Sequence, residues 1–60
     1  MDNYECEGYA ALAMKEAGVD DATILKVCSN LWSLFDLKTE DEAYRLGREV
    51  LEEIKRRIYR

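Results

Sequence analysis

Residues 39–58 read TEDEAYRLGREVLEEIKRRI, and their pattern is that of an amphipathic helix. Thr39 followed three residues later by Glu42 is the capping-box arrangement: the threonine hydroxyl accepts an amide proton of the first turn, and the glutamate reaches back to the threonine amide. Behind the cap, Ala43, Leu46, Gly47, Val50, Ile54 and Ile58 recur at three and four residues and hold one face, with Tyr44 and Leu51 beside it. The opposite face alternates acid and base: Asp41 with Arg45, Glu49 behind Arg45, Arg48 with Glu52, Glu52 with Arg56, and Glu53 with Arg57. Such pairs are worth about 0.2–0.5 kcal/mol each and mark a face in water. Lys55, Arg56 and Arg57 suit the negative C-terminal end of the helix.

Two further helices precede this one. Asp20 is the natural N-cap of a helix over residues 21–35, with Val19 and Ile24 at the two positions of a hydrophobic staple. Its stripe is Ile24, Val27, Cys28, Leu31, Leu34 and Phe35, widened on one flank by Leu25 and Trp32. That much apolar surface predicts a central helix. The first helix, over residues 4–17, carries Cys6, Tyr9, Ala10, Ala13 and Ala17 on one line, and Gly18 ends it with a left-handed turn. Gly8 inside it implies either a late helix start or a close neighbour. The expected architecture is all-α, a compact three-helix bundle over residues 1–60, and sixty residues leave no room for a second domain.

Charge is unevenly distributed. The chain carries −4 overall. In residues 1–21, Asp2, Glu5, Glu7, Glu16, Asp20 and Asp21 face Lys15 alone, a net −5; residues 22–60 hold eight bases and seven acids, a net +1. An acidic chain argues against nucleic acid as the main partner, because phosphate binding needs a basic surface. The basic end, Lys55 to Arg60, is short, and dipole complementarity accounts for it.

Catalysis is not expected. Histidine is absent, so the usual general base near neutral pH is missing. Ser29 and Ser33 have no activating partner in the pattern, and no glycine-rich loop is present. No cofactor is implied, and two cysteines, Cys6 and Cys28, fall short of the four ligands of a structural metal site. They read as small buried thiols in a cytoplasmic protein, with no membrane span.

Residues 13–31 resemble the spacing of a helix-turn-helix motif: Gly18 in the turn, Val19 after it, Ile24 six residues beyond the glycine and Val27 three further. That resemblance implies a DNA-binding regulator dimerised through the third helix. Against it, the would-be recognition helix opens on Asp20 and Asp21, which phosphates repel. The favoured expectation rests on aromatics. Six of them, Tyr4, Tyr9, Trp32, Phe35, Tyr44 and Tyr59, exceed what so small a core encloses, and tyrosine and tryptophan are frequent interface anchors. The expected function is a non-enzymatic protein-interaction module, a regulator, adaptor or inhibitor. It would bind a protein partner or a second copy of itself through Tyr9, Leu25, Trp32 and Tyr44, with Asp20 and Asp21 in an acidic rim.

Overall fold

A computed structural model describes residues 1–59; Arg60, the last base of the C-terminal run, lies outside the described residues. The chain is an all-α three-helix bundle: α1 (Asn3–Glu16), α2 (Asp21–Leu37) and α3 (Glu40–Ile58). Each boundary has a local cause. Asp2 caps α1 by accepting the Glu5 amide at 2.7 Å, and the Glu5 carboxylate accepts the Asp2 amide in return. This is a second capping box; Asp2 and Glu5 are spaced as Thr39 and Glu42 are.

The turn after α1 follows the expectation. Gly18 stands at φ 82°, the Gly18 amide donates to the Lys15 carbonyl and the Val19 amide to the Met14 carbonyl. These two bonds form a Schellman closure, which needs a left-handed residue at the glycine position. Asp20 then caps α2, accepting the Thr23 amide at 3.0 Å and the Thr23 hydroxyl at 2.6 Å. The helix runs two residues beyond Phe35, to Leu37, before Lys38 turns extended and Thr39 caps α3 through the Glu42 amide.

Helices α1 and α2 pack on one another, but not along the expected line of α1. The half-buried residues of α1 are Cys6, Glu7, Ala10, Ala11 and Met14, whereas Tyr9, Ala13 and Ala17 face water. The paired alanines present little bulk to α2, and Glu7 reaches across to Trp32. Around Gly8 the helix is continuous, and a methyl group in place of its α-hydrogen would meet nothing within 4 Å, so neither a late start nor a close neighbour explains it. Gly8→Ala should therefore raise stability by about 0.5–1 kcal/mol through backbone entropy. Thermal melting checks this, and a lowered midpoint would contradict it.

The bundle is open on the side of α3. Glu42, Leu46 and Gly47 are its half-buried residues, and every residue from Arg48 to Tyr59 is exposed. No described side chain is fully buried, and the radius of gyration is 12.7 Å. A close-packed chain of this length would have roughly 10 Å.

Candidate functional site

At the centre of the α1–α2 contact stands Trp32. Its indole N–H donates to the Glu7 carboxylate at 2.5 Å. The ring meets Tyr4 edge-on at 5.0 Å between centroids, and Phe35 edge-on at 5.3 Å. Edge-to-face aromatic pairs add about 0.5–1.5 kcal/mol beyond their burial, and a partly buried indole needs an acceptor for its N–H. Trp32 thus fastens the first turns of α1 to the last half of α2. Glu7, which the sequence presents only as a charge near the helix start, is the acceptor that completes this clamp.

The other expected binding residues are displayed on the surface. Tyr9 on α1, Leu25 on α2 and Tyr44 on α3 are exposed, and the aromatic contacts among the described residues involve none of them. Asp20 and Asp21 are exposed as well, but each has a local bond. Asp20 is the cap of α2, and Asp21 forms an ion pair with Lys15 at 2.9 Å across the turn. The hydroxyl and amide of Thr23 hold the Asp20 carboxyl below its ordinary value of 3.8. The Thr39 amide likewise holds Glu42 below 4.5.

Those two shifts set an acid response. A carboxyl depressed in the folded state stabilises the fold fully above its unfolded pKa and ceases to do so as pH falls through the folded one. Helicity should therefore hold above about pH 4.5 and decline below about pH 4 as the caps protonate. Asp20→Asn, a cap that does not titrate, should reduce the decline; circular dichroism from about pH 6 to about pH 2 measures it, and an undiminished decline would remove Asp20 from the account.

A cleft of 710 Å³ opens where the start of α1, the end of α2 and the start of α3 converge. Cys6, Leu31, Leu34, Phe35 and Ala43 line it, and its charged lining groups are Asp2, Lys38 and Glu40. Both cysteines are free and half-buried. Beyond the cleft runs the apolar face of α3, where Val50 is 56%, Ile54 37% and Ile58 67% exposed.

Compared with known protein families, curated proteins and solved structures, the chain matches none. Its functional reading rests on its own geometry.

On α3 the water-facing ion pairs are fewer than expected. Arg48 meets Glu52 at 2.9 Å and Arg45 approaches Glu49 at 4.0 Å. The expected pairs Asp41–Arg45, Glu52–Arg56 and Glu53–Arg57 are not formed, because Arg45 leans toward Glu49 and Glu52 is taken by Arg48; exposed pairs of this kind gain too little to hold both side chains in place. Consequently, among the described residues, Glu40 and Asp41 at one end of α3 and Lys55, Arg56 and Arg57 at the other make no ion pair. No described helix is long and apolar enough to cross a membrane.

Proposed function

We propose that the chain is a non-enzymatic protein-interaction module of the cytoplasm, an adaptor, regulator or inhibitor, that works by docking its uncovered apolar surface on another protein. One observation supports this most: the chain keeps 5356 Å² of accessible surface, where a folded chain of 7.0 kDa has roughly 4,000 Å². The excess of roughly 1,300 Å² exceeds the about 800 Å² that one side contributes to a standard interface. Large exposed apolar patches on small domains are characteristic of binding surfaces.

In this reading the parts divide their work. Trp32 and Glu7 keep α1 on α2, and so hold the cleft open toward α3. The face of α3 with Tyr44, Val50, Ile54 and Ile58 supplies the docking area, while Tyr9 and Leu25 extend the apolar surface on the hairpin. The acids of residues 1–21 steer the domain toward a basic partner surface.

Nuclease-treated affinity capture with the full chain and with Ile54→Asp tests the proposal. A stoichiometric protein recovered by the first and lost by the second is the expected result. A salt-sensitive shift of duplex DNA by the pure chain, unchanged by Ile54→Asp, would overturn it in favour of a DNA-binding regulator.

A further inference from the structure

We infer that the face of α3 is covered by the same face of a second copy of this chain, the two helices running antiparallel. This rests on the docking reading above and names its occupant. Two observations carry it, one of charge and one of shape.

The ends of α3 carry opposite and unpaired charge. Glu40, Asp41 and Glu42 open the helix, and Lys55, Arg56 and Arg57 close it. At about 100° per residue, Glu40 flanks the apolar face on one side with Lys55 near it at the far end, and Arg57 flanks it on the other. A parallel pair would set like charges together at both ends. An antiparallel pair sets the acidic first turn of each α3 against the basic last turn of the other, with Glu40 and Lys55 on the same flank, twice over, as a two-fold axis requires. The opposed helix dipoles favour the same orientation.

That register also matches shape. With Glu40 level with Arg57 along the two axes, Ala43 comes level with Ile54 and Gly47 with Val50, a small residue against a branched one in each case. A methyl group built at Gly47 would meet nothing within 4 Å, so the half-buried glycine has space for at least that much. The C-terminal end of the second α3 then lies along the 710 Å³ cleft, which begins beside Ala43 and Glu40. Its Ile54 and Ile58 meet an apolar lining of Leu31, Leu34 and Phe35, at a rim where Asp2 and Glu40 outnumber the single base Lys38. The excess over the whole chain, roughly 1,300 Å², is larger than the about 800 Å² that each copy gives to a standard interface.

Sedimentation equilibrium on the full chain tests this, with two charge-reversed variants. Glu40→Lys with Asp41→Lys, and Lys55→Glu with Arg57→Glu, leave Thr39, Glu42 and the apolar face intact. The wild-type chain should sediment at twice 7.0 kDa. Each variant alone should associate at least about tenfold more weakly, because like charges now meet at both ends. Mixed in equal amounts, the two should recover association to within about threefold of wild type, since the reversed ends complement each other. A monomeric wild-type chain, variants that associate like wild type, or a mixture that does not recover would each overturn the antiparallel pair. Recovery on mixing is a readout that weakened caps or dipoles do not produce. A monomeric chain that still captures a protein partner through Ile54 would retain the docking reading and remove the second copy as occupant; absence of both would remove both.

Discussion

Trp32→Ala is expected to unfold the α1–α2 hairpin. The substitution removes a half-buried indole, both of its edge-on aromatic contacts and the donor on which the Glu7 carboxylate is satisfied. Truncating a fully buried aromatic to alanine costs about 3–5 kcal/mol; for a half-buried ring in two edge-on pairs, about 2–3 kcal/mol is the corresponding expectation. A chain under about 70 residues rarely draws more than about 3–5 kcal/mol from its core, so this one change consumes most of the available stability. Circular dichroism should show helicity falling and the cooperative melt disappearing. Trp32→Phe, which keeps a ring between Tyr4 and Phe35 but loses the N–H, should fall between the two. An alanine variant melting within about 0.5 kcal/mol of wild type would show that the indole does not clamp the hairpin.

Ile54→Asp should have the opposite profile, a lesser effect on the isolated chain and a greater one on association. In the single chain Ile54 is 37% exposed, so the substitution costs about 0.5 kcal/mol of helix propensity and about 1 kcal/mol of the partial cover it has. Within a docked interface the new carboxylate would be stripped of water opposite an alanine, with no partner of its own. An unsatisfied polar group of this kind costs about 2 kcal/mol or more, which is about thirtyfold in affinity. Sedimentation gives the association constant and circular dichroism the helicity. Equal losses in both would mean that Ile54 serves the chain's own fold.

The sequence and the structure agree where the signals are local. The Thr39–Glu42 box, the Asp20 cap and the left-handed Gly18 are settled within four residues of chain, and all three are where the pattern puts them. The Trp32–Glu7 bond joins residues 25 apart, and periodicity carries no information about which carboxylate a distant indole will find. A requirement is nonetheless visible: a tryptophan on a helix stripe needs an acceptor, and Glu7 lies one position from Cys6 on the face that packs. The face of α1 is rotated from the expected line because Tyr9 is not core; two adjacent alanines mark closer approach than a tyrosine allows.

The exposure of α3 is the least legible feature. Its residues announce an apolar face, but a hydrophobic stripe states only that something covers it, not whether the cover is the chain's own. Chain length supplies a hint. Sixty residues that fold alone bury about 60% of their unfolded surface, and this chain, by the same scaling, buries only about half. The unpaired charges at the two ends of α3 become visible only once the ion pairs along its wet face are known.

Amide hydrogen exchange along α3 at low protein concentration tests the uncovered face most directly. In a single chain whose third helix has no cover, amides from residue 48 to residue 58 should exchange far faster than those of the α1–α2 contact around Ala10 and Leu31, and should slow as the chain finds its partner. Protection of residues 48–58 equal to that of the hairpin, and independent of concentration, would show that the chain covers this face by itself.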